Sequence, residues 1–386
     1  MTDRLLGVGA ALVDGEVMVG DVRVDDAGRI ASVGVPFEGR RDTIALPGLV
    51  DLQVNGFAGV DLRRADVEGY RTAGLALAAH GATAVQPTYF GRSLDGYLAA
   101  LDVLSEARAA QASALDRRGG PTDPGWGCRF LAAHLEGPFL NPLFKGAHDE
   151  RTFLAPSVDA ADRLLESGQV GFMTVAPELP GGVELVDHLH RRGVVVSIGH
   201  SDADVEQTVA AVDAGARHLT HCWNAHRRLT SRDPGPAAVA LVRPGLIVGL
   251  IVDGVHVADE TVRLTLKAAA GRVAATTDAI PPAGLASLDE WEEEPGMTVT
   301  VRDGRATLAD GTLAGSIVTP DGVLRNLVAL GLDLASAADA CGGVQRRLLG
   351  LDDVLVRPGD VADVVVLDDA LDVVRTLVAG REVAVR

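Results

Sequence analysis

The chain has 386 residues, 47% of them hydrophobic and 23% charged, with a formal charge of −18. That length suggests about two domains, and the composition is that of an ordinary globular protein. The acidic balance argues against a nucleic-acid or anionic-membrane surface, which would need a basic footprint, but a few local arginines would suffice for a small anion.

Cys128, Cys222 and Cys341 are odd in number and unrelated in spacing, so they are expected to be free thiols in a reducing compartment. No apolar run approaches the roughly 20 residues that span a bilayer. The apolar stretch LLGVGAALV follows Asp3, precedes Asp14 and Glu16, and has neither a basic n-region nor a small-residue cleavage pattern, so it is not expected to be a signal peptide. A cytoplasmic location is expected.

Up to Leu46 the chain reads as short strands and tight turns: Glu16 to Val24 alternates, Asp26-Ala27-Gly28 turns, and Arg29 to Val35 alternates again. The far end behaves alike, with DVVVL at Asp363 to Leu367, then Val373 to Val378 and Arg381 to Val385. The two ends, 1–46 and 354–386, are expected to build one small β-sandwich domain together. Between them, 47–353 alternates apolar runs with helical stretches. Strands are expected at Leu49 to Val54, Thr83 to Thr88, Phe130 to Leu135, Gly171 to Ala176, Val194 to Ile198, His218 to Thr220, Leu246 to Val252 and Val273 to Thr277. Tyr70 to Ala79, Leu94 to Ala110, Ala160 to Glu166, Val183 to Arg191, Ala203 to Ala214 and Glu260 to Ala269 suit amphipathic helices. Eight such units over this length give an α/β fold of the TIM-like (β/α)8 barrel type. No GxGxxG follows the first strand, so a dinucleotide-binding sheet has no support. Beyond the eighth strand, DEWEEEP at Asp289 to Pro295 is expected to be a solvated loop. A hairpin around Asp303-Gly304 and helices near Val318 to Leu330 and Ser336 to Leu349 follow.

Polar residues at the C-terminal ends of barrel strands converge on one mouth. Here they are Gln53 and Asn55, Glu136, His200, His221, Asp253 with His256, and Asp278. One glutamate and two histidines with an open position suit catalytic Zn²⁺, and Fe²⁺ or Co²⁺ would also fit. Asp278 is then free to take a proton from water. A lone buried histidine is more often a hydrogen-bonded core residue, and His134 and His218, mid-strand or at a strand start, read that way. His80, His188 and His190 sit on helical stretches and read as surface or packing residues, and Cys222 and Trp223 as packing. The case for a metal rests on Glu136, His200, His221 and Asp278 each following a different strand.

The motifs HLEGPFLNP with KGAH, SIGHSDA, THCWNAH, DGVHV, TTDAIPPAG and LAGSIVTPDGVLRNL, in this order, resemble the N-acetylglucosamine-6-phosphate deacetylases of the amidohydrolase superfamily. The resemblance runs from Pro47 to the ADVVVLD at Ala362. It implies a metal-dependent hydrolase acting on an amino-sugar phosphate, usually a homodimer with its interface near the phosphate site. It implies that Glu136, His200 and His221 hold the metal, that Asp278 is the general base and acid, and that His148 contacts the acetyl carbonyl. Asn224 and Ala225 would grip the sugar phosphate with Arg232 and His256, the latter two partly through the dimer interface, and with Arg227. Many relatives carry HxH after the first strand and a bridging lysine after the fourth. Here Gln53-Val54-Asn55 occupies the first place and GFMTVAPE has no lysine, so Gln53 and Asn55 mark a vestigial second-metal position. One divalent cation per subunit is expected, zinc first and iron, cobalt or manganese as alternatives.

Two departures stand out: His226, followed by Arg227 and Arg228, replaces the family's usual apolar residue, and CGGVQRRLLGL lacks its late proline. The expected reaction releases acetate from N-acetylglucosamine 6-phosphate. The rivals are a galactosamine or mannosamine epimer, a cyclic-amide hydrolase of the same superfamily, and a catalytically silent sugar-phosphate sensor.

Overall fold

The computed structural model describes residues 4–36, 42–116, 125–287, 289–294 and 297–385. Eight parallel strands form the central barrel: β1 (Leu49–Val54), β2 (Ala82–Tyr89), β3 (Ala133–Glu136), β4 (Val170–Val175), β5 (Val195–Ile198), β6 (Ala216–Leu219), β7 (Ile247–Ile251) and β8 (Val273–Thr276). Each pairs in parallel with the next, from Ala82 opposite Leu49 round to Ile251 opposite Thr276. Both faces of such strands are covered, which is why they read in the sequence as continuous apolar runs. A helix follows every strand: Val67–Ala79, Leu94–Asp116, Val158–Leu165, Gly182–Arg191, Val205–Asp213, Gly235–Val242, Asp259–Ala268 and Pro320–Ala329. The helix at Gly235–Val242 is absent from the sequence reading, and the expected strand Phe130 to Leu135 is split into Arg129–Phe130 and β3.

The barrel closes between β8 and β1 largely through a side chain. The buried Asp51 carboxylate accepts the backbone N–H groups of Gln53 and Thr277 at 3.1 Å each, together with the Thr276 hydroxyl. Just above, Ala279 O receives Asn55 N at 2.8 Å and Gly56 N at 3.0 Å. Burial pushes the Asp51 pKa up, while these hydrogen bonds to the charged form oppose it.

The barrel interior carries hydrogen-bonded side chains below the mouth. His134 Nε2 lies 2.7 Å from Thr174 Oγ1 and its Nδ1 3.2 Å from Leu52 O, while His218 Nδ1 lies 2.9 Å from Ser197 Oγ. Burial lowers His134 to about 4 and His218 well below the ordinary value, so both are neutral. They are the core histidines the sequence suggests.

Both ends of the chain supply further strands. A six-stranded sheet takes 381–385, 373–378, 364–368, 43–47, 10–13 and 16–19 in that order, and a three-stranded sheet takes 4–5, 21–24 and 30–35. Val8, Val22, Ile30, Val364, Val366 and Leu377 pack between them. The alternating stretch Glu16 to Val24 breaks at Gly20, with its halves in different sheets. Strand 43–47 runs into β1 through Gly48, where an added Cβ would lie 2.1 Å from Thr83 Cγ2.

After β8 the acidic run is not a loop. Glu290–Glu294 is a strand paired antiparallel with Met297–Arg302, which continues through the Asp303-Gly304 turn into Arg305–Thr307; Pro295 lies outside the described residues. Trp291 and Val299 pack against Ala314 and Ala147, so alternate residues find an apolar surface despite the charges. The last expected helix is a run of three pieces, Leu334–Ala338, a wider π turn at Asp339–Gly343, and Val344–Leu348. No helix among the described residues is long and apolar enough to cross a membrane.

Candidate metal centre

Glu136 ends β3, and His200, His221 and Asp278 stand just past β5, β6 and β8. The last three adopt left-handed backbone, with φ of 50°, 26° and 51°. For residues other than glycine such conformations cost on the order of 1–3 kcal/mol each and persist only when neighbours enforce them. Here backbone bonds do so: Asn141 N to His200 O at 3.0 Å, Asn224 N to His221 O at 3.0 Å and Ser316 N to Asp278 O at 2.9 Å. Each strand end thereby turns its side chain into the mouth.

Glu136 is 3% exposed. Its Oε1 lies 2.9 Å from His221 Nε2 and 3.2 Å from His200 Nε2, and the two Nε2 atoms are 3.2 Å apart. His200 Nδ1 donates to Phe144 O at 2.7 Å, and His221 Nδ1 donates to Asn224 O at 3.1 Å. Each ring therefore turns its other nitrogen toward Glu136, the arrangement in which outer hydrogen bonds fix the tautomer of metal-binding histidines. Three acceptor atoms meet with room for one proton. Burial and the neighbouring His148 hold His200 neutral, down to about 4. Burial would lower His221 too, but the Glu136 and Asp278 carboxylates outweigh it and raise its pKa. Burial opposes ionisation of Glu136, yet the three imidazoles hold its carboxyl well below the usual range. The donor set fits a divalent cation, which would satisfy all three lone pairs at once.

His148 lies on the other side of Glu136, its Nε2 3.6 Å from Oε2. Glu136, His148 and His200 also offer donor atoms within 4.8 Å of one another. His221 would be the better third ligand, because its Nδ1 is anchored on a backbone carbonyl whereas the buried His148 Nδ1 has no hydrogen-bond partner. Rings hold His148 instead: Phe90 at 4.9 Å and His200 at 4.4 Å between centroids.

Gln53 Nε2 donates to both Glu136 Oε1 and Asp278 Oδ1, each at 3.0 Å, and Asn55 Nδ2 donates to Asp278 Oδ1 at 2.8 Å. These amides present hydrogens where imidazoles would present lone pairs. Loss of solvation, reinforced by the Glu136 charge, raises Asp278 to about 7, although Asn55 and the nearby histidines work the other way.

A cleft of about 260 Å³ opens above these groups and includes Asn55, His148, Asn224, Ala225 and His256. Asp253 Oδ2 accepts from His256 Nδ1 at 2.7 Å, while its Oδ1 accepts two backbone N–H groups. Arg227 and Arg232 are not brought into the lining. Arg227 donates to Asp233 at 2.8 Å and to Asp202 O at 2.9 Å, and Arg232 is exposed on the following loop. His226 is buried, donates to Thr220 O at 2.7 Å, and is held down to about 3 by burial.

Several contributors escape sequence reasoning. Phe90 and the segment Thr312 to Gly315 line the cleft without any polar marker at a strand end. Glu178 ties two loops together, accepting Asn141 Nδ2 at 2.9 Å, Ser201 Oγ at 2.7 Å and Asp202 N at 2.6 Å. Its place just after β4, opposite the loops of β3 and β5, is the signal that was available.

No family model matches the chain. An N-acetylgalactosamine-6-phosphate deacetylase from Escherichia coli O157:H7 is 33% identical over 357 residues, covering 91% of each chain. An N-acetylglucosamine-6-phosphate deacetylase from Rattus norvegicus is 32% identical over 354 residues, covering 87% of this chain and 82% of that one. Among solved structures, a mutant N-acetyl-D-glucosamine-6-phosphate deacetylase from Mycobacterium smegmatis in complex with N-acetyl-D-glucosamine-6-phosphate aligns over 100% of both chains, with a TM-score of 0.88 and 30% identity.

Proposed function

The chain belongs to the N-acetylglucosamine-6-phosphate deacetylase family of amidohydrolases, and from that premise we propose that it hydrolyses N-acetylglucosamine 6-phosphate to glucosamine 6-phosphate and acetate. The observation that carries the proposal is the meeting of Glu136, His200 and His221 within 3.2 Å, with Asp278 linked to Glu136 through Gln53. Glu136, His200 and His221 would hold one divalent cation, zinc first and iron, cobalt or manganese as alternatives, which when bound makes water more acidic and polarises the amide carbonyl.

Asp278 does the proton work. Gln53 and Asn55 both donate to its Oδ1, leaving Oδ2 to take a proton from the attacking water. With a pKa near 7, the carboxyl is suited to both accepting and returning a proton at neutral pH. As the new C–O bond forms, His148 donates to the carbonyl oxygen, where negative charge develops. Asp278 then passes its proton to the amine nitrogen as the C–N bond breaks, so one water is consumed and acetate and the free amine leave.

On the far side of the cleft, Asn224, Ala225 and His256 hold the sugar phosphate, and the Asp253 carboxylate keeps His256 oriented through its Nδ1 hydrogen. Arg227 borders this loop. Exposed Arg232 reaches the phosphate of a neighbouring subunit in a cytoplasmic homodimer, which supplies the bidentate donors an anion needs against a chain of charge −18. A second reading, the galactosamine epimer, is supported by the match to the N-acetylgalactosamine-6-phosphate deacetylase over 91% of each chain.

The deciding experiment measures metal content per subunit alongside acetate release from both epimers. Acetate release from the glucosamine compound at one metal per subunit is expected. No release from either compound by metal-loaded protein would end the deacetylase reading, and preference for the galactosamine compound would select the second.

A further inference from the structure

The arrangement of the mouth points to a residue that limits what the reaction can remove. We propose that Phe90 sets the size of the acyl group, confining the enzyme to acetyl; this deepens the deacetylase reading and rests on it.

The ring of strand ends divides the substrate's two handles. Asn224 and His256 stand beyond β6 and β7, while His148 stands on the loop after β3 and Phe90 follows β2 directly. A sugar phosphate gripped on the first side, with its amide carbonyl at His148, projects the carbon beyond that carbonyl toward β2 and β3. On that side the apolar cleft-lining side chains are Phe90 and the much smaller Ala147. Ile251 closes the cleft at β7, on the sugar's side, while Leu313 and Ala314 line it from the segment whose Ser316 bridges to Ala279 after β8, between the two sides.

Phe90 is also poorly placed to yield. Its ring lies 4.9 Å from that of His148, and the Arg63 guanidinium carbon lies 4.1 Å from its centroid. Arg63 is in turn held by Asp61 through two bonds of 3.0 and 2.8 Å. Moving the ring to admit a longer chain would disturb the stack that orients His148. A methyl group needs no such movement, whereas each added methylene does.

The test compares kcat/KM for N-acetyl-, N-propionyl- and N-butyryl-glucosamine 6-phosphate in the metal-loaded wild type, Phe90→Leu and Phe90→Ala. One methylene misfit in an apolar pocket is worth roughly 10- to 200-fold. The wild type is therefore expected to favour acetyl over butyryl by about 100-fold or more. That ratio should fall by about 10-fold or more in Phe90→Ala, with Phe90→Leu between, through gains on the longer substrates. An unchanged ratio in both variants overturns the proposal. So does loss of turnover on all three substrates in both variants at full metal content, which would make the ring only a support for His148. Absence of acetate release by the wild type would overturn the deacetylase reading as well, so the two failures are distinguishable.

Discussion

The Nε2 atoms of His200 and His221 face each other across 3.2 Å, while both Nδ1 hydrogens are engaged by backbone carbonyls. Against burial, the Glu136 and Asp278 carboxylates raise the His221 pKa, so in metal-free protein the proton shared among these acceptors is expected on His221. Cation uptake below the His221 pKa should therefore release about one proton, with affinity falling as much as about tenfold per pH unit. Calorimetry at one pH in buffers of different ionisation enthalpy measures the release. His221→Asn should lose most bound metal and, with it, most turnover.

Replacing Asp278 with Asn keeps an amide oxygen able to accept from Gln53 and Asn55 but removes the proton carrier. Turnover should fall by about 100- to 10,000-fold, the usual span for a general base, with metal content unchanged. Metal analysis alongside acetate release checks both parts; near-normal turnover would mean that Asp278 is not the base.

The same carboxyl sets a pH signature. Its folded pKa of about 7 lies above the ordinary 3.8, so its contribution to stability is complete below the unfolded value and is lost as pH rises through 7. Metal-free wild type should therefore lose more stability than Asp278→Asn between pH 5 and 8, as measured by denaturant titration. Activity should run the other way, because the ionised form is the proposed base. A bound cation would pull the pKa down, so the acidic limb of the rate profile should have its midpoint below 7.

Gln53 Nε2 serves two carboxylates at 3.0 Å. Leucine at this position fills similar space but leaves both acceptors without that donor, costing about 1–3 kcal/mol for each buried group left unsatisfied. Gln53→Leu should lower both stability and kcat. Gln53→Glu should be worse for turnover, because a third carboxylate faces Glu136 and Asp278. Thermal melts and steady-state kinetics on the metal-loaded variants separate the two losses.

How legible all this was depended on whether burial left a trace in residue type. β1 to β8 showed themselves because strands covered on both faces must be apolar throughout, and the polar residue ending such a run marked Glu136, His200, His221 and Asp278. The helix Gly235–Val242 did not show itself: GPAAVALV is apolar almost throughout, with six of its residues buried, so no polar face set a period. The charges of Glu290–Glu294 suggested solvent, but alternation puts the half-buried Trp291 on one face while Glu290 and Glu292 stay exposed. Phe90 was invisible for the opposite reason, being one more apolar residue after Tyr89. The cation cluster was legible as residue types; the amide shared between Glu136 and Asp278 depended on a geometry that the sequence does not encode locally.

At the barrel's join, Asp51 grips the backbone at Thr277 while also accepting from Gln53 N. Immediately beyond those contacts stand Asp278, the proposed proton carrier, and the Gln53 side-chain amide that tethers it. Wall and workplace thus share one fastening, and a shift there of a few tenths of an ångström would be passed straight to the reacting atoms. Conservative exchange at position 51 should consequently blunt the chemistry at temperatures where the cylinder itself is still intact.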